Sequence, residues 1–285
     1  MPLQKEIKLI ECPRDAMQGL NYFISTADKI DYLNILLDVG FDTLDFGSFV
    51  SAKAVPQMSD TANVLEGLKP SPTKLLAIVA NLKGIGEALK HPSITYIGYP
   101  FSVSETFQKR NTNTDISKSL GIVEDLLSKC DKFDKKAVIY LSMAFGNPYG
   151  DEWNLELIAH WTAELVKRGA LIISLSDTIG SATSELVGEV YKNTQSSFPH
   201  IELGIHLHST PEHWEEKINA AYLSGCRRFD SAIKGYGGCP MAADTLTGNI
   251  ATEKLISFLR ERNENLNINM SSFEKAMSFS SKIFR

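Results

Sequence analysis

The sequence predicts an α/β fold, a closed (β/α)8 TIM barrel with a C-terminal helical addition. Three observations predict it. Eight short apolar, β-branched runs recur along the 285 residues, and longer amphipathic stretches separate them. The runs are apolar almost throughout, as strands of a parallel sheet covered on its outer side must be. No Pro/Gly/Ser-rich linker or composition shift divides the chain, and about 250 residues is the usual size of such a barrel. One domain over residues 1–285 is expected, with a barrel core of about 6–263. An open doubly wound sheet is the alternative. It would carry a Gly-rich phosphate loop after its first strand, where this chain has Cys12-Pro13-Arg14-Asp15.

The strands are expected at 7–12, 43–46, 75–80, 94–98, 137–142, 171–176, 202–208 and 228–233. Helical spacing is clear in 26–39, where Ile30, Leu33, Leu36 and Leu37 share a face, and recurs in 156–167 and 211–223. At the end of the chain, 271–284 places Phe273, Met277 and Phe284 on helical spacing, suited to padding the barrel or to a subunit contact.

Composition narrows the function classes. The chain is 43% hydrophobic, enough for a large core, and its 29 Lys+Arg against 34 Asp+Glu give a net charge of −5. No basic footprint for nucleic acid is present. No apolar run approaches the roughly 20 residues of a membrane span, and the N-terminus lacks the apolar stretch of a signal peptide. Four cysteines, Cys12, Cys130, Cys226 and Cys239, lack a CxxC pair and read as free thiols. A cytoplasmic protein without a membrane or nucleic-acid partner is expected.

In a barrel of this kind the chemistry lies at the C-terminal strand ends. Most of the unusual polar clusters fall there: Arg14-Asp15 after the first run, Asp45 in the second and Asp177 after the sixth. His206 and His208 close the seventh, and Gly237-Gly238-Cys239 with Asn249 follow the eighth. Residues i and i+2 of a strand point to the same side, so His206 and His208 can converge on one ion. An isolated HxH reads equally well as two hydrogen-bonded histidines. With Asp15 and Asn249 on neighbouring loops, the set of imidazole, carboxylate and amide donors suits an octahedral divalent ion such as Mg2+ or Mn2+. Arg14 reads as a surface ion pair with Asp15 or as a stabiliser of a developing oxyanion. Cys239 reads as an inert thiol or as a proton donor on a loop.

At these residues the sequence resembles the 3-hydroxy-3-methylglutaryl-CoA lyase family of the DRE-TIM metallolyase superfamily. The matching segments are ECPRDAMQ (11–18), SFVSAKAVPQM (48–58), NLKG (81–84), SLSDTIG (174–180), HLH (206–208), GGCP (237–240) and GNIATE (248–253). They run in order along almost the whole chain. HxH alone marks the superfamily, whereas GGCP with SFVSAKAVPQM marks the lyase branch.

The resemblance implies metal ligation by Asp15, His206, His208 and Asn249, and enolate stabilisation by Arg14. It implies catalytic proton transfer through Cys239, a further catalytic carboxylate at Asp177, and substrate contacts from Arg14, Gln18 and Asn81. His206 and Asp45 join the implied catalytic set. The implied reaction splits an acyl-CoA substrate into acetyl-CoA and acetoacetate, with a related aldolase or Claisen-type enzyme as the alternative. A homodimer is implied as well. Candidates for holding the CoA phosphates are Lys53, Lys83, Lys109 and Arg110.

Three departures stand out against the resemblance. Asp45 stands where the family usually has a glutamate, one methylene longer. Met17-Gln18-Gly19-Leu20 replaces the usual LQNE, and the loop between Cys239 and Asn249 is about one residue longer.

Overall fold

The computed structural model describes residues 6–238 and 247–284. Eight parallel strands pair in chain order and close into a barrel. They are β1 (Lys8–Glu11), β2 (Thr43–Ser48), β3 (Lys74–Ile78), β4 (Ile94–Ser102), β5 (Lys136–Ser142), β6 (Ile172–Asp177), β7 (Glu202–Leu207) and β8 (Arg228–Ser231). After β1 come α1 (Pro13–Gln18) and α2 (Thr26–Leu37). The helices α3 (Thr61–Glu66) and α4 (Leu82–Ala88) follow β2 and β3, and α5 (Glu105–Thr112) with α6 (Ile116–Lys132) follow β4. The last turns of the barrel carry α7 (Leu155–Lys167), α8 (Ser184–Ser197), α9 (Trp214–Leu223) and α10 (Thr252–Glu261), and α11 (Met270–Ile283) ends the chain.

All eight expected strands form, and the largest boundary difference is at β4, which runs four residues past the expected Gly98. Pro100, which has no N–H to give a ladder, does not end the strand. The Gly98 carbonyl accepts from the Val79 N–H, so two residues on Pro100 also turns toward β3, which has already ended at Ile78. The missing donor therefore faces no partner strand, and the ladder to β5 continues to Ser102↔Ser142.

Strand register decides what faces the lumen. Ile10 pairs with Asp230, Pro100 with Tyr140 and Ser176 with His206, so each couple turns inward together. One sector of the lumen is apolar, with Leu76, Ile78, Tyr96, Val138, Tyr140 and Ile172 in a cluster of their own. The facing sector is polar. At its base Lys8 and Arg228 converge on Glu202, at 2.5 and 3.1 Å. Gly204 makes room for this, because a Cβ there would lie 2.8 Å from the Arg228 Cδ.

A second and larger core fills the space between the strands and the helices. α11 pads it beside α2: Tyr32 stacks on Phe279 and meets Phe284 edge-on, both at 6.1 Å between ring centroids. Among the described residues no helix is long and apolar enough to cross a membrane.

Candidate active site

β1 ends at Glu11, and Pro13 opens α1 at a position where its missing N–H costs no helical bond. The short helix puts Arg14 and Gln18 four residues apart on one face, with Asp15 between them on the rim. Arg14 Nη1 donates to Asp15 Oδ1 at 3.0 Å and to Gln18 Oε1 at 2.9 Å. Its Nε and Nη2 donate to Asp45, which is wholly buried at a bulge in β2. Burial pushes the Asp45 carboxyl up to about 6 in spite of Arg14. Two carboxylates hold the guanidinium permanently charged at the cleft wall, against the cost of its own burial.

His206 and His208 stand side by side at the end of β7, their ring centroids 5.0 Å apart. His206 Nδ1 meets Asp230 Oδ2 at 3.1 Å, which leaves Nε2 as the free ring nitrogen. Burial lowers the affinity of His206 for a proton, and the Asp230 contact more than offsets it, so its pKa rises. His208 goes the other way: burial and the neighbouring His206 lower it to about 4, so the ring is neutral near pH 7. Burial also penalises the Asp15 charge, but Arg14 and the two histidines outweigh it and hold that carboxyl down at about 2.

Donor atoms of Asp15, His206 and His208 lie within 4.8 Å of one another, all buried. His208 Nδ1 is buried without a hydrogen-bond partner among the described residues. An unpartnered imidazole nitrogen beside a carboxylate is what a divalent cation requires. Asn249 joins this group: it bridges to His208 through an isolated backbone pair, and its Nδ2 donates to Asp15 Oδ2 at 2.7 Å. Its amide oxygen is the atom suited to a cation. Gly237, at φ +102°, lies so close that a Cβ there would meet Asn249 Nδ2 at 2.7 Å and the Asp15 carbonyl oxygen at 2.9 Å.

Above these groups opens a cleft of about 470 Å3. Its polar end carries Arg14, Asp15, Gln18, His206 and His208; Val50, Val55, Ile78 and Phe107 line its apolar walls. Asn81 lines the mouth, and its Oδ1 is already engaged in capping α4 through the Gly84 N–H.

The residues matched by the HMGL-like family model are 7–279. The chain belongs to the HMGL-like family. A 3-hydroxy-3-isohexenylglutaryl-CoA/hydroxymethylglutaryl-CoA lyase of Pseudomonas aeruginosa is 34% identical over 261 residues, 91% of this chain and 86% of the relative. A hydroxymethylglutaryl-CoA lyase of Bacillus subtilis is 31% identical over 98% of this chain and 92% of its own. The crystal structure of the Bacillus subtilis HMG-CoA lyase superposes with a TM-score of 0.91 at 30% identity, covering 99% of this chain and 95% of that one. An HMG-CoA lyase from Acinetobacter baumannii, in complex with coenzyme A and 3-methylmalate, superposes at 0.89 with 27% identity, covering 97% and 90%.

Within this HMGL-like chain most of the expected site residues meet, and among the described ones Asp177 does not. Asp177 turns away from it: its carboxylate accepts from Lys217 Nζ at 3.0 Å and from the Ser181 and Ala182 N–H groups. Burial raises its pKa in spite of Lys217. Cys239 lies outside the described residues. Of the basic candidates Arg110 lines the cleft, with its guanidinium 5.0 Å from the Tyr149 ring centroid, while Lys109 pairs with Glu105 at 2.9 Å. Lys53 and Lys83 are exposed.

Sequence reasoning missed Asp230 and Lys217. A charged residue inside the eighth apolar run was a readable signal for Asp230. Lys217 sits on an ordinary amphipathic helix and offered none.

Proposed function

We propose that this HMGL-like chain cleaves 3-hydroxy-3-methylglutaryl-CoA into acetyl-CoA and acetoacetate, as a divalent-metal-dependent carbon–carbon lyase. The observation that carries the reading is the permanently charged Arg14 in hydrogen-bond contact with Asp15, which shares one buried donor cluster with His206 and His208. Family membership over residues 7–279 sets the reaction class.

Asp15, His206, His208 and Asn249 would hold the cation, Mg2+ or Mn2+. When bound, it supplies Lewis-acid stabilisation of the negative charge that develops on the substrate's tertiary hydroxyl oxygen.

The chain's own residues do the rest. The Asp15 carboxylate, directly or through water, takes the proton of the C3 hydroxyl, while His206, kept in one orientation by Asp230, would give its Nε2 to the cation. The C3–O electrons form the ketone of acetoacetate as the C2–C3 bond breaks. Its electron pair moves onto the thioester, giving the enolate of acetyl-CoA. Arg14 holds the enolate oxygen, and its two carboxylate partners fix it there before the charge arrives. Cys239 protonates the enolate carbon. Asp177 and Lys217 position rather than react: Lys217 Nζ also donates to the carbonyls of Gly180 and His208, tying the β6 loop to the histidine strand. Gln18 steadies Asp15, Asn81 and Arg110 receive the CoA arm at the cleft mouth, and the apolar wall faces the C3 methyl.

One domain carries the whole reaction, and the family resemblance makes a homodimer the expected assembly. Buried, unpaired thiols at Cys12, Cys130 and Cys226 suit a reducing cytoplasm. The test is a substrate panel in Mg2+. Release of free CoA thioester product from 3-hydroxy-3-methylglutaryl-CoA, with no turnover of free 2-keto acids, supports the reading. Turnover of a free 2-keto acid alone replaces it with an aldolase.

A further inference from the structure

Beneath the catalytic group the lumen holds a second cluster of donors. Cys12 follows Ile10 by two residues, and Ile10 pairs with Asp230, so the thiol continues the inward-facing row of β1. A ring nitrogen of His206, a carboxylate oxygen of Asp230 and the Cys12 Sγ all lie within 4.8 Å of one another, and all three residues are buried. The thiol spends its hydrogen on a long contact, 3.7 Å to the Ile10 carbonyl.

Two further observations concern unsatisfied polar atoms at this cluster. Asp230 has a side chain with no exposure, and its Oδ1 has no hydrogen-bond partner among the described residues. Tyr140 Oη, on a ring that meets the His206 ring edge-on at 5.8 Å between centroids, is also buried without one. Asp230, Asp45 and Asp15 act on the thiol against Arg14, while Arg228, whose buried Nε and Nη2 also lack hydrogen-bond partners among the described residues, acts on Asp230.

We propose that Cys12, His206 and Asp230 form a second cation site, selective for thiophilic divalent ions of the Zn2+ class, whose occupation inhibits the enzyme. Thiolate with imidazole and carboxylate is a donor set for Zn2+, whereas Mg2+ and Mn2+ favour the oxygen-rich group above it. Binding forms a metal–sulfur bond and releases the Cys12 proton to solvent, with no change of oxidation state. A filled lower site takes from His206 Nδ1 the carboxylate that orients the ring, and it sets a second dication next to the first. Because Cys12 has no exposure, the inhibition develops with time rather than at mixing.

The probe is Cd2+ added to the full-length protein in excess Mg2+, followed by the ultraviolet charge-transfer band of a cadmium–thiolate bond. One Cd2+ per chain should raise the band in the wild type and in Cys239→Ala, and Cys12→Ala should abolish it. In parallel, the concentration of Zn2+ that halves Mg2+-dependent turnover should rise at least tenfold in Cys12→Ala, with Cys12→Ser as a second variant of closer shape. A band that survives in Cys12→Ala, or no band in the wild type, overturns the proposal. The cadmium readout needs no turnover, so its failure is separable from failure of the lyase reading.

Discussion

Arg14 lies side-on against Asp45, its Nε 3.2 and 3.0 Å from the two carboxylate oxygens and its Nη2 2.5 Å from one of them. With Nη1 given to Asp15 and Gln18, the guanidinium is held on three sides and cannot swing with the substrate. That rigidity is what an oxyanion stabiliser requires, since a donor fixed in advance reorganises little when charge develops. Arg14→Ala should lower kcat on the order of 10²–10³-fold while calorimetry still detects divalent-ion binding. Turnover near wild type in that variant contradicts the role.

Asp177 and Lys217 make a buried pair whose removal should read as stability before chemistry. Asp177→Asn leaves the Lys217 ammonium with two carbonyl acceptors and no counter-charge, which costs about 3–5 kcal/mol for a buried pair. The denaturation midpoint should fall, and Asp177→Asn combined with Lys217→Met should recover part of the loss. A fall in kcat at an unchanged midpoint would instead place Asp177 in contact with substrate.

The strand pattern was legible because each run is buried on both faces, by lumen and helices, and so reads as continuous apolar sequence. Its end was least legible at β4, which carries Pro100 inside the strand and runs on past the expected Gly98. At the site, the i, i+2 histidines and the Arg14–Asp15 step were readable from local periodicity. The partners of those residues were not. Asp45 reaches Arg14 from the neighbouring strand β2, Asp230 stands beside His206 in the β7–β8 register, and Lys217 reaches Asp177 over 40 residues. Local sequence carries no register for such contacts.

Glu11 gives a pH prediction of definite sign. Its carboxyl is wholly buried, accepts from the Ile233 N–H at 2.9 Å and from Thr252 Oγ1 at 2.6 Å, and burial pushes its pKa from 4.5 up to about 8. The folded state thus keeps this proton to higher pH than the unfolded chain does. The stability it contributes is full below about pH 4.5 and is lost as pH rises toward 8. Glu11→Gln removes that dependence, so its melting temperature should gain on the wild type steadily across this window. Parallel profiles for the two proteins would contradict the assignment.

Metal-dependent cleavage is tested by release of acetyl-CoA from 3-hydroxy-3-methylglutaryl-CoA, measured with Mg2+ or Mn2+, after chelation, and in His208→Ala. Chelation should stop turnover and either ion should restore it, while His208→Ala should abolish turnover together with divalent-ion binding. Undiminished acetyl-CoA release after chelation, or from His208→Ala, would contradict it.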